Sequence, residues 1–152
     1  MRVCIDTHVL IWGIQRKANS TQLNKIQKTE KFIQWLEENR HEVAIPAPVL
    51  AEFLTGLPPD KADEIQKIFT GKFIVLPFDI AAARKYAEIY QKHNKTILNT
   101  RYEVKADCMI IAVAVTTNCD CIYSEDEGLK KIAQGFIEVR PVPVIPHQPQ
   151  FV

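Results

Sequence analysis

Four acidic residues, Asp6, Glu52, Asp107 and Asp126, carry the chemistry this sequence offers, because each borders an apolar segment able to hold it at one edge of a sheet. Asp6 ends the apolar run Val3-Cys4-Ile5, and Asp126 follows the apolar stretch Cys119 to Ser124. Glu52 and Asp107 fall early in predicted helices, which start at the edge where parallel strands finish. Four gathered carboxylates repel one another and lose their hydration, at a cost of several kcal/mol unless a cation matches them. A divalent ion is the economical partner. Oxygen donors with retained water suit Mg²⁺ or Mn²⁺, and the lack of His or Cys at ligand spacing argues against zinc. Such ions act on phosphate, where they activate water and neutralise charge at the attacked phosphorus.

Taken singly, each acid has a plainer explanation. Asp6 reads as a turn or cap residue and Asp107 as a first-turn acid facing the helix dipole. Glu52, beside Val49, Leu50, Phe53 and Leu54, reads as an acid on the exposed rim of the core. His8 has no second histidine at ligand spacing and reads as packed or capping. The chemical reading therefore depends on whether the fold brings the acids together.

Five short apolar segments provide the strands: Arg2 to Ile5, Val43 to Ile45, Phe73 to Leu76, Cys119 to Ser124 and Phe136 to Val139. Helical periodicity lies between them. Leu23, Ile26, Phe32, Ile33, Trp35 and Leu36 mark an amphipathic helix running to Asn39, whose interleaved Lys and Glu residues read as a solvated face. Pro48 suits the first turn of a helix that Gly56-Leu57-Pro58-Pro59 closes, and a short helix follows from Lys61 to Phe69. Asp79 caps another, with Ile80, Ala83, Ala87 and Tyr90 as its inner stripe. Met109 to Val115 lacks a polar face and predicts a helix buried all round, with Asn118 as its left-handed stop. Strands alternating with helices predict an α/β fold with a mainly parallel five-stranded sheet flanked by helices.

At 152 residues the chain has the size of one domain, and its 47% hydrophobic and 24% charged residues are those of an average globular protein. A net charge of +1 announces no global field for nucleic acid or membrane, so a partner must be met by a local patch. The stretch Gln91 to Lys105, with Lys92, His93, Lys95, Arg101 and Lys105 against Glu103, is the most basic and is a candidate phosphate-holding loop. The longest apolar run is too short to span a bilayer, and the start lacks a charged leader with a small-residue cleavage site, so a cytoplasmic location and no membrane partner are expected. Cys4, Cys108, Cys119 and Cys121 fall in core segments and suit a reducing compartment. Pro141, Pro143, Pro146 and Pro149 predict an extended tail, so residues 1–140 are read as the domain and 141–152 as a proline-rich extension.

Three ordered blocks, VCIDTHVLIW, PAPVLAEFLTG and KADCMIIAVAVTTNCDCIYSEDEGLKKIA, resemble the signature blocks of PIN-domain nucleases, and most closely those of VapC-type toxins of bacterial toxin–antitoxin pairs. The resemblance spans nearly the whole chain. It matches Asp6, Glu52 and Asp107 to the family's three principal metal-binding acids, Asp126 to its variable fourth, and Thr7 to the hydroxyl residue that helps order the site. It implies a three-layer sandwich, homodimerisation, Mg²⁺- or Mn²⁺-dependent cleavage of RNA and, for toxins, inhibition by a cognate antitoxin protein. The family usually carries a further acid followed by Phe just after the fourth position, where this chain has Gly128-Leu129, and Glu125 or Glu127 could replace Asp126. The expected reaction is hydrolysis of an RNA phosphodiester at a bound ion. The alternative is a non-catalytic PIN-like module that binds RNA or protein without cutting.

Overall fold

The computed structural model describes residues 1–93 and 101–146, excluding the side chain of Arg101. The expected phosphate-holding loop is thus only partly in view: residues 94–100 lie outside the described residues, as does Pro149 of the tail. Five strands, β1 (Arg2–Ile5), β2 (Glu42–Pro46), β3 (Ile74–Leu76), β4 (Cys121–Tyr123) and β5 (Val139–Arg140), form one sheet in the order β3-β2-β1-β4-β5. Every pairing is parallel, as the alternation with helices requires. The chain builds outward from β1 to β3, then returns to the other side of β1 to lay down β4 and β5. That reversal opens a crevice at the carboxyl ends of β1 and β4, where open α/β sheets bind ligands.

Seven helices flank the sheet: α1 (Thr7–Leu10), α2 (Leu23–Glu38), α3 (Ala47–Thr55), α4 (Pro59–Lys72), α5 (Ile80–His93), α6 (Arg101–Thr116) and α7 (Glu127–Ala133). A π-helical turn, Ile11–Gln15, continues α1 and ends at Arg16, whose φ of 55° is left-handed. The apolar helix α6 packs against α3, α5, α7, β2 and β4. Cys108, Ile111, Ala112, Val113 and Ala114 are fully buried there.

Several boundaries shift for local reasons. Helix α6 begins at Arg101, which leaves Asp107 as its seventh residue rather than in the first turn. Val104, Cys108 and Ile111 are buried at helical spacing, so the charged residues around Val104 belong to an amphipathic start. Asn118 does stop the helix in the left-handed region, and the Cys119 amide still bonds the Ala114 carbonyl, so β4 starts only at Cys121. Phe136 and Ile137 likewise return their amides to Ala133, delaying β5 to Val139. Helix α5 turns Ala82 and Ile89 inward, whereas Ile80 is 82% exposed, so the expected stripe is out of register with the face α6 covers. The tail residue Val142 is buried against the core.

All four cysteines are free, and among the described residues no helix is long and apolar enough to cross a membrane. Within α2, Thr29 is fully buried and its hydroxyl has no hydrogen-bond partner among the described residues. An unpaired buried hydroxyl costs about 1–3 kcal/mol. Thr29→Val keeps the shape and removes that cost, so urea unfolding should show a gain of about 1 kcal/mol; a loss would mean the hydroxyl is bonded.

Candidate metal centre

The crevice is built from β1 and β4, whose register pairs Ile5 with Tyr123 and so sets Asp6 beside Ser124. Asp6 is 4% exposed and caps α1, its Oδ1 accepting the Thr7 amide at 2.7 Å. Its Oδ2 accepts the Ser124 hydroxyl at 2.7 Å, and that hydroxyl oxygen accepts the Asp126 amide at 3.1 Å. Ser124, itself buried, therefore ties the acid of β1 to the loop after β4. The Thr7 hydroxyl donates to Glu52 Oε2 at 2.6 Å, fixing an acid on α3 to the start of α1. Asp126 caps α7, where its Oδ1 accepts the amides of Gly128 at 2.8 Å and Leu129 at 3.2 Å.

Asp6, Glu52, Asp107 and Asp126 all line one cavity of 310 Å³, together with His8, Tyr102, Glu103 and Glu127. Glu52 is half-buried at the cavity wall, not on an exposed rim, and His8 is exposed at the mouth rather than packed. Burial pushes the Asp107 carboxyl up to about 8, and the charges of Asp126, Asp6, Glu52 and Glu103 add to the shift. Asp6 is raised too, chiefly by burial, against the lowering by its bonds to Ser124 and Thr7. The first-turn capping explanation of Asp107 fails on this geometry: its carboxyl lies inside a cluster of like charges.

The three candidates for the fourth acid separate cleanly. Glu125 forms ion pairs with Lys25 and with Lys28, the latter at 2.9 Å, which turn it toward α2. Asp126 and Glu127 both reach the cavity, but Asp126 is the one anchored by hydrogen bonds. The Lys residues of α2 are therefore not merely a solvated face. Ser124, Tyr102 and Glu103 are site residues that sequence reasoning missed. A hydroxyl at the end of β4, mirroring Thr7 after β1, was the available signal for Ser124, and helical spacing from Ala106 and Asp107 was that for Tyr102 and Glu103.

Among the described residues no three His, Cys, Asp or Glu side chains close around a single point at coordination distance. The donor set nonetheless fits a hard divalent cation, since it consists of carboxylates whose mutual repulsion holds Asp107 protonated near neutral pH. Ser124→Ala removes a hydrogen bond to a buried carboxylate. It should destabilise the chain by about 1.5–3 kcal/mol in urea unfolding above pH 7, and an unchanged midpoint would remove Ser124 from the site.

The comparisons agree with this architecture. No curated protein sequence matches the chain. Among solved structures, VapBC2 from Rickettsia felis bound to a promoter DNA fragment superposes with a TM-score of 0.69 at 16% identity, covering 93% of this chain and 98% of that one. DNA-bound VapBC from Salmonella typhimurium gives 0.68 at 17%, covering 94% and 99%. VapC20 from Mycobacterium tuberculosis, a sarcin-ricin loop cleaving toxin, gives 0.61 at 19%, covering 91% and 99%. At such identities these likenesses speak for the fold alone. The family match is direct: residues 3–135 fit the PIN domain, and the chain belongs to the PIN-domain family.

Proposed function

We propose that this chain is a Mg²⁺- or Mn²⁺-dependent ribonuclease, acting in the cytoplasm as a homodimer and as the toxin of a toxin–antitoxin pair. The observation that carries the reading is the cavity at the ends of β1 and β4, into which four acids converge. Solved VapBC toxin–antitoxin complexes share the fold, which supports an antitoxin protein as the partner. In this reading residues 1–140 form the nuclease domain and 141–152 a proline-rich extension.

Asp6, Glu52 and Asp107 would hold the ion, and Asp126 a second ion or a water. A bound divalent ion supplies an activated water and neutralises charge on the phosphate under attack. The protein's own groups prepare the place. Ser124 and the Thr7 amide hold the Asp6 carboxylate on both oxygens, and the Thr7 hydroxyl fixes one oxygen of Glu52. Such supporting hydrogen bonds orient ligands before binding and spare reorganisation during reaction. Asp107 releases its proton as the cation enters, because the positive charge reverses the field that kept it protonated.

The test is cleavage of structured and single-stranded RNAs with Mg²⁺ or Mn²⁺ by the parent, Asp6→Asn and Asp107→Asn, each with and without chelator. The parent alone, unchelated, should cut. Equal behaviour of all samples would favour the non-catalytic interaction module.

A further inference from the structure

Three cavities meet at His8. The acidic one shares His8 and Asp126 with a neighbour of 190 Å³, which in turn shares His8, Trp12 and Gln22 with a third of 530 Å³. The result is one groove running from the acids over α1 and the π-helical turn to the start of α2. Its character changes along the way. The far end is lined by Arg16, Lys17, Asn19 and Gln22, and by Leu23, which is 60% exposed despite being apolar. Lys25 lies in the middle, 5.1 Å from the centre of the Trp12 ring, and its charge is met by Glu125. Cations, carboxamides and exposed apolar surface in one channel are the equipment for phosphates, base edges and base faces.

The backbone of this wall is unusual. A π-helical turn is rare and often marks a functional site, and here it ends in a left-handed arginine. The turn lies hard against α2, where a Cβ on Gly13 would come within 2.4 Å of Ile33. Close packing thus holds the wall in shape, and the left-handed residue lets the chain leave the turn with Arg16 and Lys17 exposed.

We infer that the groove from His8 to Arg16 and Lys17 binds a single-stranded RNA segment flanking the cleaved phosphodiester. The inference rests on the nuclease reading for the position of the cut, but the binding itself needs no metal. Phosphates lie along Arg16 and Lys17, and bases lie toward Leu23, Asn19 and Gln22. Arg16 also meets Glu30 at 2.7 Å, which orients its guanidinium.

The test is fluorescence anisotropy of a labelled single-stranded oligoribonucleotide and its duplex, in chelator, with the parent, Arg16→Gln/Lys17→Gln and Lys17→Glu. In parallel, hydrolysis of bis(p-nitrophenyl) phosphate with Mn²⁺ reads the acidic site without engaging the groove. The double variant should lose roughly tenfold in single-strand affinity and its salt slope should fall by about 1, with Lys17→Glu losing at least as much. Hydrolysis of the small diester should not change. Unchanged RNA affinity in both variants, or equal affinity of the parent for the duplex, overturns the inference. A parent that binds neither strand form also overturns it and leaves the groove to a peptide. Failure of the small-diester reaction in the parent defeats the nuclease reading instead, and the binding result still decides the groove.

Discussion

Asp107→Asn is expected to raise the melting temperature of the metal-free chain at pH 8 by on the order of 10 °C, while abolishing RNA cleavage. The Asp107 carboxyl is pushed up to about 8 by burial and then by its acidic neighbours, against about 3.9 in an unfolded chain. A carboxyl raised by folding binds its proton more tightly in the folded state. Its contribution is therefore intact below about pH 4 and is lost progressively as pH rises from about 4 to about 8. Each pH unit in that window removes about 1.4 kcal/mol, so the accumulated penalty at pH 8 reaches several kcal/mol. Asn carries no charge at any pH and escapes the penalty, and for a domain of this size 1 kcal/mol corresponds to about 2–4 °C. The same substitution removes a proposed ligand, so stability and activity move in opposite directions. Melting curves from pH 4 to 9 decide the matter: parent and variant should converge at the acid end and diverge above it. Parallel curves would show that Asp107 does not sit among uncompensated charges.

The second large effect is a pH-dependent stabilisation by the cation itself. Millimolar Mn²⁺ or Mg²⁺ should raise the melting temperature of the parent at pH 8 and do so much less at pH 6. An ion that binds only the folded chain stabilises it by about 2.7 kcal/mol at a hundred times its dissociation constant. Below about pH 8 the ion must displace the Asp107 proton, so apparent affinity falls about tenfold for each pH unit. The stabilisation should accordingly shrink by about 1.4 kcal/mol per unit between pH 8 and pH 6. Asp107→Asn should abolish the pH dependence along with most of the shift. Thermal melts at three pH values with and without chelator suffice, and a shift that is absent, or is the same at pH 6 and 8, would remove the proposed cofactor from this site.

Much of the architecture is legible along the chain because its signals are local. The run Arg2–Ile5 is apolar, short and bounded by Asp6, and it forms β1 with those limits. Leu23 to Asn39 carries helical periodicity over four turns, and α2 ends at Glu38. Asp79 does cap its helix, accepting the Ala82 amide at 2.9 Å. The acids are legible for the same reason, since each stands at a junction between apolar and polar segments. Parallel topology follows from alternation, because a parallel pair needs a crossover and only helices were available to make it.

The tertiary structure decided what depends on register and on contacts between distant segments. Ser124 is an ordinary hydroxyl until β4 pairs with β1 and sets it 2.7 Å from the Asp6 carboxylate. No local pattern distinguishes Glu125, Asp126 and Glu127; the separation comes from Lys25 and Lys28, about a hundred residues earlier, which draw Glu125 aside. Asp107 looked like a cap because its helix appeared to begin beside it, and only the packing of Val104 against the core shows the two turns before it. Its displaced proton affinity is likewise collective, arising from burial and from four carboxylates that other segments supply. Sequence by itself determined which segments fold and which residues could bear charge at their ends. Proximity through the sheet determined the field those residues share, because electrostatic and hydrogen-bond energies depend on distances that chain order does not encode.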